Sequence, residues 1–234
     1  MKHFFLLLSF VFNYTPKAIV VPHHNAYKEI RAEFISRISQ ERLITNHVII
    51  IGPSHFTPKP NGIYYGDYYR FDQKLFTKLN FPISLNNNLI QSDHAFFNLI
   101  PDIKTYFPKA KITPILIGQA YPFEKLEPLI LKIKKYCTRD CLIIASIDFT
   151  HYTNKYLANK WDKKTIEALT DFDFESIKKA KIDSPQTLYV LSKYSYLNNF
   201  KKFILFNNTY AAQTSHIYGV YLKYGNTKYN PSSN

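Results

Sequence analysis

Val48-Ile49-Ile50-Ile51-Gly52-Pro53-Ser54-His55 is the stretch that decides the fold. Four consecutive β-branched residues with no polar alternation read as a strand covered on both faces, the habit of parallel sheets. Gly52 permits a tight turn off its end, Ser54 can hydrogen-bond the local backbone, and His55 is delivered to the strand's carboxyl end. Two other phrases repeat the arrangement. Ala18–Val21 runs into Pro22-His23-His24-Asn25, and Leu142–Ala145 runs into Ser146-Ile147-Asp148-Phe149-Thr150-His151. In an open α/β sheet, ligands bind outside the carboxyl ends of the strands.

Working outward, the spacing predicts helices over 28–42, 123–135, 156–170, 174–180 and 185–197. In the first, Ile30, Phe34 and Ile38 share one face. Further strands are expected at 47–51, 111–117, 141–146, 200–206 and 217–223, with an aromatic, strand-like segment at 63–71 and a short helix at 73–79. Asp93 is placed to cap a helix running towards Phe107, which Pro101 should kink or break. Asn86-Asn87-Asn88 reads as a loop. Strands alternating with helices give a single α/β domain over residues 17–225, with a mixed, mostly parallel sheet flanked by helices. The tail 226–234 reads as disordered.

The chain has 234 residues, 46% of them hydrophobic, enough for one sizeable core. A net charge of +13 would suit nucleic acid or an anionic membrane surface. The lysines are scattered, however, in pairs such as Lys134-Lys135 and Lys178-Lys179, and no aromatic-interleaved binding motif accompanies them. An AT-rich genome gives the same enrichment in Lys, Asn, Ile, Phe and Tyr, so nucleic acid is set aside and a small molecule is the expected partner. With 6 glycines there is no phosphate loop, and neither Gly-x-Ser-x-Gly nor His-Glu-x-x-His occurs. Cys137 and Cys141 are too few for a cysteine-only zinc site. Their spacing allows a local disulfide or two unrelated small residues. Residues 1–16 form an apolar leader, with Phe4–Phe12 resembling a short signal-peptide core or anchor. This favours export or anchoring over a cytoplasmic location, and the alternative is an extra strand packed on the domain.

Histidine is the commonest metal ligand and the side chain most readily poised for proton transfer. His23 and His55, each just past a strand, are candidate metal ligands. Asp183, in Asp183-Ser184-Pro185, would add a carboxylate, completing the two-histidine, one-carboxylate facial set of non-haem Fe(II). The competing reading makes Asp183 or Ser184 a helix cap with Pro185 in the first turn. Asp148 can fix the tautomer of His151, making the pair a general base, or can cap the following helix. His94 and His24 would line the pocket.

Taken in order, Pro22-His23, Gly52-Pro53-Ser54-His55, Asp93-His94 ahead of Leu99-Ile100-Pro101, and Ser146-Ile147-Asp148-Phe149-Thr150-His151-Tyr152 resemble the Memo family, also called AmmeMemoRadiSam system protein B. The resemblance runs from Ala18 to Tyr224. It implies a fold like that of the LigB-type extradiol non-haem iron dioxygenases, with His23 and His55 as metal-binding histidines. It also implies Asp148 and His151 as the pocket pair, His151 being the acid–base residue, and His94 as a further catalytic histidine. The family's third metal position, often cysteine, aligns with Asp183. Fe(II) is the implied cofactor, with Cu or Zn as alternatives. Oxygen-dependent oxidation of a small molecule is the implied reaction. The alternative is a non-catalytic metal-binding or redox partner of radical-SAM and AMMECR-type proteins. Departures are Asp93 in place of the family's Glu, and His24-Asn25-Ala26 in place of Ala-Gly-Tyr.

Overall fold

The computed structural model describes residues 14–41, 44–57, 59–67, 75–76, 82–137, 140–200 and 202–224. The leader segment Phe4–Phe12, the tail 226–234, most of the helix expected at 73–79 and the end of the segment 63–71 lie outside the described residues.

The strands are β1 (Tyr14–Val21), β2 (His47–Ser54), β3 (Ile63–Tyr65), β4 (Ser84–Leu85), β5 (Lys111–Gly118), β6 (Cys141–Ser146), β7 (Lys202–Ala211) and β8 (Thr214–Tyr224). They form one sheet in the order β4-β3-β5-β2-β6-β1-β8-β7. The central four, β5, β2, β6 and β1, are mutually parallel. On the outside β3 and β8 run antiparallel to their inner neighbours, and β7 and β8 form a hairpin.

Helices cover both faces, as an uninterrupted apolar strand requires. Side chains alternate between two cores. Ala18, Val20, Ile49, Ile51, Ile143 and Ala145 pack towards α5 (Glu127–Tyr136), α6 (Lys155–Asp171), α7 (Phe174–Lys178) and α8 (Pro185–Leu197). Ile19, Val21, Val48, Ile50, Leu142 and Ile144 pack on the other face, towards α1 (Lys28–Gln40) and three short helices, α2 (Asn87–Ser92), α3 (His94–Phe97) and α4 (Ile100–Tyr106).

Two local expectations are corrected and a third is borne out. No turn occurs at Gly52: β2 continues to Ser54, and the glycine instead allows close approach, since a Cβ there would sit 2.9 Å from Ala95 Cβ. Asn86-Asn87-Asn88 is the start of a helix, with the Asn86 side chain accepting the Leu89 N–H as cap of α2. Pro101 breaks the helix that Asp93 begins. The break separates α3 from α4, and Pro101 sits in the first turn of α4, where its missing N–H costs nothing. Among the described residues no helix is long and apolar enough to cross a membrane.

Cys137, at the end of α5, is disulfide-bonded to Cys141 at the start of β6, with their Cα atoms 5.2 Å apart. The bridge pins the turn that feeds the strand behind Asp148. The oxidised chain is expected to show no free thiol without reductant. Replacing both cysteines by serine should lower stability by about 2 kcal/mol for so short a closed loop. Thiol titration and denaturant unfolding read these outcomes, and two free thiols in the untreated protein would contradict the pairing.

Candidate functional site

Parallel register brings the ends of the four central strands to one edge. Val21 pairs with Ser146, Ile51 with Ala145, and Ser54 with Gly118. Residues one or two positions beyond, including His23, His55 and Asp148, therefore meet. Helix α8 starts at the same edge. Ser184 is its cap, accepting the Thr187 N–H, which leaves the Asp183 side chain free of capping. Asn154 caps α6, which frees Asp148 in the same way. Asp183 and Asp148 then bind each other's backbone: Asp183 N–H donates to the Asp148 carbonyl at 3.3 Å, and Asp148 N–H to Asp183 Oδ2 at 3.2 Å.

All six residues singled out as ligands or catalytic groups, together with His24, line one cavity of about 620 Å³. That volume lies in the range of small-molecule sites. Donor atoms of His23, His55 and His94 lie within 4.8 Å of one another, and so do those of His23, Asp148 and Asp183. The expected trio of His23, His55 and Asp183 thus spans two overlapping groups that share His23. His94 enters the first group because its ring stacks on that of His55, with centroids 3.9 Å apart.

Hydrogen-bond partners decide which ring nitrogen carries each proton. The Ser146 hydroxyl donates its one proton to the Ala95 carbonyl, so towards His23 Nδ1, 3.3 Å away, it can only accept. His23 therefore bears its proton on Nδ1. Its bare Nε2 faces Asp148 Oδ2 and Asp183 Oδ2, each at 3.3 Å. His55 is held similarly: its Nδ1 lies 2.8 Å from Asp93 Oδ1, while its N–H donates to Asp93 Oδ2 at 2.8 Å. Burial alone would raise the Asp93 carboxyl, but donation from the His55 ring, the His55 N–H and the Ala95 N–H holds it below its ordinary value. Asp93 is thus ionised, His55 Nδ1 is protonated, and its Nε2 is a free lone pair. Asp93 also caps α3 through the Ala95 N–H.

Asp148 addresses the β1 loop: its Oδ1 accepts the N–H groups of His23 and His24 at 3.0 and 3.2 Å. The sequence reading paired Asp148 with His151. In the structure His151 Nδ1 lies 3.2 Å from Thr214 Oγ1, and its Nε2 is buried without a hydrogen-bond partner. Asp148 reaches His151 as a nearby charge, raising its basicity against burial. Asp183 Oδ1 is likewise buried without a partner. Burial first, and the Asp148 carboxylate second, push the Asp183 carboxyl well above its ordinary value.

Several contributors escaped the sequence reading. The buried Arg31 guanidinium pairs with Asp102 at 2.7 Å and donates to the carbonyls of His23 and Asn98, while the Asn98 side chain donates to the same His23 carbonyl. This ties the His23 loop to the segment behind His94. Cutting such a buried charge network typically costs about 3–5 kcal/mol. The available signal was a charge at a helical spacing of three, four and seven from Phe34, Ile35 and Ile38, all buried. Asp162, buried on α6, accepts from the Thr150 N–H and hydroxyl and so holds the loop between Asp148 and His151. His216 on β8 lies behind His24, ring centroids 5.3 Å apart; no local pattern marks it.

A family model described as Memo-like protein matches residues 7–189, well over half of the chain. The chain belongs to the Memo-like family. Every residue of the two metal-capable groups falls inside that match, whereas the wall from the β7–β8 hairpin, including Thr214, falls beyond it. The crystal structure of the uncharacterized protein JW3007 from Escherichia coli K12 is similar in fold, with a TM-score of 0.63 at 12% identity. That alignment covers 88% of this chain and 98% of JW3007. No curated protein matches the chain in sequence.

The imidazoles make the metal-free Memo-like chain acid-sensitive. Burial lowers His23, His94, His151 and His216 below the ordinary 6.5. Below that value the unfolded chain takes up protons that the folded chain refuses, so stability present above it is lost as pH falls towards the folded values. Burial raises Asp183 and Asp162 above 3.8, which works in the opposite sense, since the folded carboxyls take up protons first. The imidazoles of the unfolded chain titrate inside the range from about pH 7.5 to 5.5 and are expected to set the sign of the dependence there. The melting temperature of chelator-treated protein is expected to fall between about pH 7.5 and pH 5.5. A flat or rising melting temperature would contradict this assignment.

Proposed function

We propose that the cavity of this Memo-like protein holds one divalent transition metal on His23, His55 and Asp183, and works on a small molecule beside it. One observation carries the reading. The Nε2 lone pair of His23 and the carboxylate oxygens of Asp148 and Asp183 converge at 3.3 Å, with no proton on that nitrogen to separate them. Either a proton held by Asp183, whose carboxyl is pushed up by burial and by Asp148, or a bound cation relieves such a cluster. The bare Nε2 of His55 and the unpartnered Asp183 Oδ1 add donors at the same cavity. The Asp93–His55 bond is the carboxylate support that metal-binding histidines usually have.

Fe(II) is the proposed ion, since two imidazoles and a carboxylate are its facial set. Recruiting His94 as a third imidazole makes Zn and Cu the alternatives. When bound, the metal would supply open positions for oxygen and for a substrate oxygen. The rest falls to the chain. His151 Nε2 is positioned to take the proton that a substrate hydroxyl loses, and Asp148 favours the imidazolium so formed. The buried walls around His23 limit water at the reacting end. Oxidation of a small molecule is the reaction class proposed.

Anaerobically purified protein is expected to carry a stoichiometric equivalent of metal that His23→Ala and His55→Ala both lose. His47→Ala should retain it, because His47 begins β2 at the opposite end of the sheet and meets Thr113 and Tyr136 there. Equal metal content in all variants would refute the site. Asp93→Asn keeps an acceptor for capping but opposes an amide N–H to one of the His55 donors. It should weaken metal binding by roughly 10–100-fold in a competition titration with a chelating dye.

A further inference from the structure

The cavity has two chemically opposite ends. At its floor, His23 and His55 present lone pairs beside two carboxylates. His24, adjacent in sequence, is held in the other tautomer. The Ala26 N–H donates to its Nδ1 at 3.1 Å, so its proton sits on Nε2 and the ring is a donor. Lys181 also lines the cavity, two residues before Asp183 on the loop that ends in the Ser184 cap. Its side chain is exposed and, among the described residues, makes no ion pair. It is the one lysine or arginine in that lining. The surrounding mouth is aromatic: Tyr152 is 88% exposed, and Trp161 stands half-buried in the wall.

Tyr152 is held there at some cost. It adopts a left-handed φ of 54°, fixed by donation of its N–H to the Gln213 carbonyl at 2.8 Å. Gln213 and Ala212, at the hairpin tip, are left-handed as well, with φ of 59° and 51°. Non-glycine residues keep such backbone only where their surroundings impose it. The Tyr152–Gln213 contact holds Tyr152 and Ala212 in the wall of the cavity that Lys181 also lines.

We propose that the mouth of the cavity binds the anionic group of a small, flat organic acid, with Lys181 Nζ and His24 Nε2–H as donors and Trp161 beside its apolar body. This rests on reading the cavity as the substrate site, and it adds the substrate class. An acid bound this way directs its far end to the floor, beside His151. The net charge of +13 favours the approach of anions in general, so the test separates Lys181 from bulk charge.

Trp161 is the only tryptophan of the chain and, like Lys181, lines both the cavity and the neighbouring groove, so its fluorescence reports binding in either and a Lys164 variant tells the two apart. Benzoate and its neutral isostere benzamide would be titrated into the protein as purified and again after chelation, with metal content measured on the same samples. Wild type should prefer benzoate by about fivefold, the scale of a partly exposed ion pair. Lys181→Gln should abolish that preference with benzamide binding unchanged. Lys164→Gln, which removes the same charge from the neighbouring groove, should keep it. Equal binding of the two probes to wild type, binding of neither, or a preference that survives Lys181→Gln would overturn the proposal. So would a preference that Lys164→Gln also removes. A preference lost on chelation would place the carboxylate on the metal and overturn it too. A Lys181-dependent preference in protein that carries no metal as purified and takes up none when Fe(II), Zn(II) or Cu(II) is added upholds this proposal while refuting the metal site.

Discussion

Parallel pairing of β1, β6, β2 and β5 is the constraint on which the site depends. Four strands that run the same way must end on the same edge, so His23, His55 and Asp148 stand within two positions of such an end, and His94 and Asp183 stand beside helix starts. Apolar strands buried on both faces do not by themselves specify register, because slippage exchanges one apolar face for another. The loops beyond the strands supply that information. Asp148 accepts the N–H groups of His23 and His24, and the Ile147 N–H donates to the Val21 carbonyl, locking β1 to β6 at the position where the site needs them. The groups that hold the register are thus also groups of the cavity.

Each imidazole owes its chemistry to one neighbour. Ser146 puts the proton of His23 on Nδ1, Asp93 does the same for His55, and the Ala26 N–H puts that of His24 on Nε2. Identical side chains therefore face the cavity as acceptors at its floor and as a donor towards its mouth. The arrangement is costly in a metal-free chain, since Asp183 Oδ1 and His151 Nε2 are buried without partners. The stability that tolerates this comes from the two apolar cores and from the Arg31 network beneath the His23 loop.

Much of this was legible in the chain itself. The helices of the second half and the central strands follow from periodicity, and the strand–loop–histidine phrases named the residues that line the cavity. The errors share a cause. Asn86 and Gly52 were read by local preference, whereas their roles follow from what packs against them: a helix cap and the close approach of Ala95. Asp93 could be read as a cap from its position. Its second partner, the ring of His55, is 38 residues away in sequence and leaves no local trace.

By itself, then, the sequence determined the layers of the fold, the edge at which chemistry can occur and the residue types gathered there, because strand ends and turn residues are local properties. The tertiary structure alone decided which donors face one another, which nitrogen of each histidine is free, and that Ser184 rather than Asp183 caps α8. Those outcomes depend on hydrogen bonds across distant segments. The direction of a lone pair is fixed by a partner that the local sequence does not contain.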